Sequence, residues 1–455
     1  ELAVGQNILV GSEVRTVTVI TNNTALTVSV AFTDQANDAS PEKLVAAAGT
    51  PWYLVVTGTQ TAVTYVDVQD SNAGEGNTIA ATNGTNSGNN TNWTFSTGAC
   101  SSAATGSWST AGTWGVPCNV AGGPTAANDV TIATGHIVTV TANAAAASIA
   151  IAANSTTGNG ITINSGTTLS VGAVTWTAPT ALTSDIIVNG TLNAASIAIP
   201  GSATAGRFAT VTINSTGTVT TTGSITFSGT AAQARLTFSG AGRLNIGGNL
   251  GSGGTLAPAT GTINFNGSAA QTMPGGATYT YNIVKSNNPA GVTLLLAAAT
   301  IPTLTIGDVT GGSLFSDGGF LVTSAAGTLN LTSGTFKLSA APTPFPAFGT
   351  NNIAAGTTVE YAAGAAQTIS ATPTYSNLTL SGTATTVKTA GGALTVNGNF
   401  TLTATLVQFD ASTFTHTIKG NWINNSTHAT PVASTTGTVT LGGTTQQTIG
   451  GTIAT

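Results

Sequence analysis

The sequence predicts an all-β fold, specifically a parallel β-helix (β-solenoid), and three observations support this prediction. Short segments alternate apolar residues with Thr, Ser or Asn, as in "HIVTVTA" at 136–142, and they end at Gly, Asn or Ser. Charged residues make up 5% of the chain, far below the roughly 25% of an ordinary soluble domain. Two phrases also recur along the chain at irregular intervals. The alternative fold is a string of β-sandwich domains of about 100 residues each.

The recurring phrases favour the β-helix. One phrase, Leu-x-Val-x-Gly-Asn before an apolar residue, occurs with variations at 244–250, 394–400 and 416–422. The distance between the last two copies suits one coil of a solenoid. The other phrase is a strand followed by a glutamine, and its uneven spacing requires coils of unequal length. Its glutamines are Gln233, Gln271, Gln367 and Gln447.

Composition and repeats divide the chain into four predicted regions. The segment 40–49, "SPEKLVAAAG", is the one candidate for a helical turn, because Ser40 can cap it and Gly49 can end it. The predicted regions are an incomplete N-terminal β-module at 1–50, first β-helix coils at 51–97, a Cys/Trp hairpin insertion at 98–130, and a main β-helix with irregular coils and an uncapped C-terminus at 131–455.

The charge balance argues against two classes of partner. Nine Lys and Arg residues in 455, with a net charge of −5, are too few for the basic surface that nucleic acids require. No apolar run approaches the roughly 18 residues of a membrane-spanning helix. We therefore expect neither a nucleic-acid partner nor a membrane span.

The two cysteines predict a disulfide. Cys100 and Cys118 flank a predicted hairpin that carries Trp108 and Trp114. In an exported protein, a cysteine pair at this spacing is typical of a disulfide that closes a loop, which contributes roughly 3 kcal/mol. Zinc binding would need further ligands, and no His-Cys cluster lies nearby in the sequence.

One acidic stretch is a candidate metal site. "DVQDSNAGEGN" brings Asp67, Asp70, Asn72 and Glu75 close together in sequence, and oxygen ligands at this density can hold Ca²⁺. The spacing differs from known calcium loops, so a polar corner of the solenoid explains the stretch as well. Apart from this candidate Ca²⁺, we expect no cofactor.

Nothing in the sequence forms a catalytic motif, so we expect that the chain is not an enzyme. The histidines lie outside metal-binding and nucleophile motifs, and the carboxylates are scattered along the sequence. Three tryptophans serve either as sugar-binding platforms or, in the alternative, as core packing. The histidines are His136, His416 and His428, and the tryptophans are Trp52, Trp93 and Trp422.

Several segments resemble large bacterial secreted and surface proteins. Residues 3–48, "AVGQNILVGSEVRTVTVITNN…", resemble the second half of a small β-module of such proteins, and residues 51–95 resemble their β-helix coils. Residues 106–171, with "GSWSTAGTWGVP" before "NDVTI", are similar to the opening of adhesin-type β-helices. The remainder resembles autotransporter-like adhesin repeats. The resemblance implies an extracellular structural or adhesive protein.

The two ends predict self-assembly. "GTVTLGGTTQQTIGGTIAT" at 437–455 lacks the strand that follows the related copy at 356–382, and the N-terminal module lacks its leading strands. Unpaired strand edges at both ends favour head-to-tail addition into a filament of identical subunits. The alternative is a stalk or passenger fragment of a giant adhesin that binds surface glycans. The predicted assembly residues are Leu2, Val4, Ile8, Val10, Val439, Leu441, Gln447, Ile449 and Ile453.

Overall fold

The chain forms a β-solenoid of about 17 turns, which confirms the predicted fold class over the β-sandwich alternative. The structure is a computed structural model. The structure describes residues 7–10, 13–22, 25–28, 42–44, 51–58, 63–64, 66–82, 84–96, 98–154, 158–308, 312–324, 326–383 and 385–452. No helix in these ranges is long and apolar enough to span a bilayer.

The N-terminal strands form a small antiparallel module. Its strands are β1 (Asn7–Val10), β2 (Glu13–Asn22) and β3 (Ala25–Val28), and they pair in the order β1-β2-β3. The predicted helical turn at 40–49 is wrong where the structure describes it, because β4 (Glu42–Leu44) pairs in parallel with a solenoid strand at 66–68. Pairing with the neighbouring coil therefore outweighs the local capping signal, and the solenoid begins before residue 51.

The first coils contain eight strands in three parallel sheets. The sheets have the orders β4-β7-β10, β5-β8 and β6-β9-β11. The further strands are β5 (Trp52–Tyr53), β6 (Val63–Thr64), β7 (Val66–Gln69), β8 (Ser71–Asn72), β9 (Ile79–Thr82), β10 (Thr85–Gly88) and β11 (Trp93–Ser96).

The first part of the main solenoid is built on a fourteen-stranded and a seven-stranded parallel sheet. Short 3₁₀ helices occur at Ala111–Thr113 and Ala231–Gln233. The strands are β12 (Cys100–Ser101), β13 (Gly106–Ser107), β14 (Asp129–Ile132), β15 (Ile137–Val140), β16 (Ala144–Ala146), β17 (Ser148–Ile151), β18 (Asn159–Ile163), β19 (Thr168–Trp176), β20 (Ser184–Val188), β21 (Thr191–Gly201), β22 (Ala209–Ile213), β23 (Thr218–Thr221), β24 (Ile225–Gly229), β25 (Ala234–Phe238), β26 (Arg243–Ile246), β27 (Thr255–Ala257) and β28 (Thr262–Phe265).

Nine-, four-, three- and two-stranded parallel sheets, together with the last four strands of the fourteen-stranded sheet, complete the solenoid toward the C-terminus. The strands are β29 (Gln271–Pro274), β30 (Ile283–Ser286), β31 (Val292–Leu295), β32 (Ala299–Thr300), β33 (Thr303–Ile306), β34 (Leu314–Ser316), β35 (Val322–Thr323), β36 (Thr328–Leu331), β37 (Thr335–Leu338), β38 (Thr350–Ile353), β39 (Thr358–Tyr361), β40 (Gln367–Ile369), β41 (Asn377–Leu380), β42 (Thr386–Ala390), β43 (Thr395–Val396), β44 (Phe400–Leu402), β45 (Val407–Asp410), β46 (Thr415–Ile418), β47 (Trp422–Asn424), β48 (Val432–Ala433), β49 (Thr438–Leu441) and β50 (Ile449–Gly450).

Coil length varies along the solenoid, as the uneven repeats predict. The coil that runs from Asn189 to Thr216 is long, and the Thr216 hydroxyl donates to the Asn189 carbonyl of the coil before it. The coil that runs from Asn245 to Asn264 is short, and these two residues are partners in the parallel register. The spacing of the recurring G-N phrase is also confirmed as one coil, because the last two copies pair in parallel, β43 with β46 and Phe400 with Trp422. Corners of different length absorb the variation while the strands keep their parallel register.

Side chains alternate between a continuous apolar core and a polar surface. In β26, β28 and β30 the inward residues are buried Leu, Ile, Phe, Val or Ser. The outward asparagines of successive coils form a ladder, in which Asn264 Nδ2 donates to Asn245 Oδ1 at 3.1 Å and Asn287 Nδ2 donates to Asn264 Oδ1 at 2.9 Å. Such ladders satisfy polar groups without charges, which explains how a chain with 5% charged residues keeps a polar surface.

The predicted disulfide is present and closes the first turn of the main solenoid. Cys100 and Cys118 are bonded, with their Cα atoms 5.5 Å apart. β12 and β13 pair in parallel with β14 and β15, so the predicted insertion begins as solenoid and becomes a loop only after residue 107. Trp108 and Trp114 meet edge to face, with ring centroids 5.0 Å apart, and each is 2% exposed. The loop therefore covers the N-terminal end of the main core.

Candidate functional site

The last coil leaves its inward side chains uncovered, unlike the coils beneath it in the same sheet. In the nine-stranded sheet, Phe400 pairs with Trp422 and Trp422 with Ile449, and their exposed fractions are 1%, 6% and 60%. In the three-stranded sheet, Leu441 is exposed although its partner Ile418 is buried. In the coils beneath, the side chains stacked at these positions point into the core. The last described coil therefore exposes a cross-section of that core.

The backbone at this end is also unpaired on one side. β48, β49 and β50 are the last strands of the four-, three- and nine-stranded sheets, and no described strand pairs with their outer sides. Val439 of β49 adds a third exposed apolar side chain, above the buried His416. Unpaired parallel edges beside apolar side chains form a template for a further strand.

The opposite end has strand edges of the same kind. β5 and β6 are the first strands of their sheets, and among the described residues each has a parallel partner on one side only. β4, the first strand of the third sheet, lies close to β1 of the N-terminal module. Of the predicted N-terminal assembly residues, Ile8 and Val10 lie on β1, whose backbone pairs antiparallel with β2. Leu2 and Val4 lie outside the described residues, as does Ile453 at the other end.

Three of the recurring glutamines form one repeated hydrogen-bond motif. Gln271, Gln367 and Gln447 each accept, through Oε1, the backbone N–H four residues earlier, at 2.8, 3.1 and 2.7 Å. Each also donates from Nε2 to two backbone carbonyls of the preceding coil. Each glutamine thus ties its own turn to the turn below. Gln233 is different: a 3₁₀ turn forms there, and its buried Oε1 has no partner among the described residues.

The G-N phrase has a related role at another corner. Asn399 and Asn421 each accept, through Oδ1, the backbone N–H of the residue above them in the next coil, at 2.9 Å in both cases. The copy at Asn249 accepts the N–H of Thr272 in the same way, at 2.8 Å. The phrase is visible in the sequence, but periodicity alone does not say which backbone group the side chain contacts.

A buried lysine lies inside the solenoid above one of the glutamines. Lys388 Nζ donates to Gln367 Oε1 at 2.6 Å and to the carbonyls of Ala363 and Ala365 at 2.7 and 3.2 Å. Burial lowers the pKa of Lys388 to about 8. Three oxygen acceptors hold the ammonium of Lys388, and among the described residues no carboxylate pairs with it. No sequence pattern indicated this arrangement.

His416 is buried beneath the last coil and fully hydrogen-bonded. Its Nδ1 accepts the N–H of Leu394 at 3.1 Å, and its Nε2 donates to the carbonyl of Ala411 at 3.0 Å. Burial lowers the pKa of His416 below its usual value of 6.5, and the bond to Ala411 offsets part of this effect. A proton on Nδ1 would break the bond to Leu394, so the neutral ring is the form that fits this site.

We expect the last coils to lose stability in mild acid. Because the unfolded chain binds the His416 proton at a higher pH than the folded chain does, stability falls as the pH drops below about 6.5. The urea midpoint of the C-terminal coils should therefore be lower at about pH 5.5 than at about pH 7.5. His416→Gln should reduce this difference. A pH dependence in His416→Gln as large as that of the unmodified chain would contradict the assignment.

The acidic stretch forms a hydrogen-bonded corner in the first coils. Asp67 accepts from the hydroxyl of Ser87, Asp70 accepts from Asn89 Nδ2 at 2.9 Å, and Asn72 accepts the N–H of Gly74 at 2.9 Å. Glu75 is exposed at the same corner. Within the described ranges, no three His, Cys, Asp or Glu side chains group as metal ligands would. The Ca²⁺ hypothesis stays a prediction.

The remaining candidates are packed into the solenoid. Ser102 Oγ lies 3.0 Å from His136 Nδ1, but this hydroxyl also accepts the N–H of Ala133, and Ser102 is 3% exposed. The pair therefore ties together the first two turns of the main solenoid. Trp422 stacks on Phe400 in the core, which makes packing its role. Trp52 and Trp93 are half-buried and meet edge to face at 6.4 Å.

Comparison with known proteins returned no match to a protein-family model, a curated protein or a solved structure.

Proposed function

We propose that the chain is a structural subunit of an extracellular filament or surface fibre, and that subunits add head to tail through their solenoid ends. The observation that carries the proposal is the contrast between two ends of the main core. A loop with Trp108 and Trp114 covers the first turn, whereas Ile449 is 60% exposed on the last. The exposed apolar side chains of β49 and β50 suit contact with a further β-coil, and we propose that a second copy supplies it.

The strand edges support stacking in one direction. β48, β49 and β50 offer three parallel edges at one end, and β5 and β6 offer two at the other, where β1 lies close to β4. A second copy that adds in the same orientation meets edge with edge, so the contact is heterologous and does not close on itself. Such contacts propagate into a fibre.

The surface and the disulfide support an extracellular location. The Cys100–Cys118 bond favours an oxidising compartment, since cytosolic thiols stay reduced. A surface with 5% charged residues has little electrostatic protection against self-association, which suits a protein that is packed against its own copies.

The rival proposal, a stalk of a giant adhesin, is favoured by one surface feature. A groove of about 320 Å³ lies on the side of the solenoid, lined by polar and apolar residues that include Asn249, Thr272, Leu295 and Leu296. Leu296 is largely exposed there. Mixed polar and apolar lining of this kind suits a sugar chain. Binding of labelled polysaccharides by chains that stay single rods would favour this rival.

Electron microscopy of the purified chain tests the filament proposal. We expect long fibres with a fixed axial repeat, and Ile449→Lys should abolish them because a charge on the strand edge blocks pairing. Ile137→Lys is the matched control: Ile137 is 44% exposed on β15, on the side of the solenoid, so this variant should still form fibres. Short monodisperse rods from the unmodified chain, stable over weeks, would overturn the proposal.

A further inference from the structure

The groove on the side of the solenoid runs along the solenoid axis. Four successive coils contribute to its lining, through residues that include Ile225, Leu250, Pro274 and Leu295. Neighbouring strands of a sheet lie about 4.8 Å apart, so a groove that crosses four coils spans about 14 Å. A groove of this shape can hold a linear chain along its length.

Part of the groove lining is a ladder of uncharged polar side chains. Ser224 Oγ accepts the N–H of Asn249 at 3.0 Å, and Asn249 Oδ1 accepts the N–H of Thr272 at 2.8 Å. The second bond fixes which way the Asn249 amide faces, because only the oxygen of the amide can accept a hydrogen bond. Asn249 is exposed, and its Nδ2 has no partner among the described residues. The groove therefore presents an oriented amide donor.

Another part of the lining is apolar and contains a strained leucine. Leu295 and Leu296 are 39% and 61% exposed. The N–H of Ala297 donates to the carbonyl of Leu295 at 3.0 Å, and Leu296 between them has a φ of +76°. A three-residue turn with this φ is rare and strained, because an L side chain at positive φ crowds its own backbone.

The fold itself does not require a leucine in this turn. Glycine adopts the φ of Leu296 without strain, and most of the Leu296 side chain lies in solvent, where it contributes little burial. Backbone strain of this kind concentrates at ligand-binding sites, where the surrounding structure holds it in place. The turn thus holds an apolar side chain at a position where a bound ligand would cover it.

We propose that this groove binds a neutral linear polysaccharide and that Asn249 and Leu296 are its specificity-determining residues. Leu295 and Leu296 contact the C–H face of a sugar ring, and Asn249 Nδ2 donates to a ring or hydroxyl oxygen. None of the described residues that line the groove is charged, so a carboxylated chain would lose hydration without gaining an opposite charge. The inference rests on the glycan-binding alternative, and it holds whether or not the subunits form fibres.

Calorimetric titration of the purified chain with cellohexaose and maltohexaose tests this inference, with hexagalacturonate as the charged counterpart. We expect a neutral probe to bind at least about tenfold more tightly than the charged probe. Leu296→Gly should weaken this binding at least about tenfold, although its urea midpoint should be no lower than that of the unmodified chain, because glycine removes the strain. Ala326→Gly is the matched control, since Ala326 has a φ of +57° outside the groove, and its binding should be unchanged.

Asn249→Asp tests the amide donor separately. The new carboxylate can still accept the N–H of Thr272, but it replaces the Nδ2 donor with an acceptor, so binding should fall at least about tenfold. Asn399→Asp is its control, because Asn399 makes the same kind of backbone bond in a coil outside the groove. This control should bind like the unmodified chain.

Three results would each overturn the inference. The first is that the unmodified chain binds neither neutral probe, and the second is that it binds the charged probe as tightly as a neutral one. The third is an unchanged affinity in Leu296→Gly or in Asn249→Asp. All three leave the filament proposal standing, because electron microscopy scores fibre growth independently of sugar binding.

Discussion

Replacing Phe400 with alanine is expected to unfold the last coils and leave the rest of the solenoid intact. Phe400 is 1% exposed, with its ring centroid 4.6 Å from that of Trp422 and 4.9 Å from that of Phe409. Deleting a buried Phe side chain costs about 4 kcal/mol through lost burial and a residual cavity. In a solenoid each coil contacts only its neighbours, so this loss concentrates in the coils around β44 and above it.

Hydrogen exchange with peptide resolution measures this local effect. Protection should fall from about β43 to β50 in Phe400→Ala and should persist in β14 to β28. Leu406→Ala is the control, because Leu406 is 43% exposed in the same coil and its loss should change stability by less than about 0.5 kcal/mol. Fibres should also disappear in Phe400→Ala, since the joint lies on the coils that unfold. A uniform loss of protection along the whole chain would argue against coil-by-coil stability.

Removing the disulfide is the second large perturbation. Cys100 and Cys118 are 18 residues apart, and opening a loop of this size costs roughly 3 kcal/mol in the chain-entropy model. The Cys100→Ser/Cys118→Ser variant should therefore unfold the N-terminal end of the main core at lower denaturant. Trp108 and Trp114 report on this region directly, because both are buried in the loop that the disulfide closes.

Tryptophan fluorescence during denaturant titration checks this prediction. The red shift that marks exposure of the tryptophan pair should come earlier in the double serine variant, and reduced wild type should behave in the same way. Adding reductant to the variant itself should change nothing, which controls for effects of the reductant. If oxidised wild type and variant shift at the same denaturant concentration, the disulfide does not hold this end of the core.

Sequence patterns predicted the elements that depend on local composition. Alternation of Val, Ile and Leu with Thr marked the strands, because the two faces of a strand meet different environments. The pair Cys100 and Cys118 was found because these are the only cysteines in the chain. Local signals failed at 42–44, where Pro41 and Ser40 indicated a helix start but the neighbouring coil imposes a strand.

The candidate site was predicted only in part. Val439, Leu441, Gln447 and Ile449 were singled out from the unfinished repeat, and the structure places all four on the last coil. The repeat did not show that Gln447 donates two hydrogen bonds to the coil below it. Lys388 was also missed, since a lone lysine in a Thr-rich strand normally points to solvent.

Periodicity and rare residues within short stretches were enough to establish the β-solenoid class, the disulfide and the one-coil spacing of the recurring phrase. Contacts between side chains of different coils required the folded chain. The coil from Asn189 to Thr216 is longer than the coil from Asn245 to Asn264, so a side chain and its neighbour in the next coil are separated by no fixed number of residues. The parallel pairing of the backbones determines which residue becomes that neighbour. It places the Lys388 ammonium over Gln367 and leaves Ile449 exposed on the last described coil.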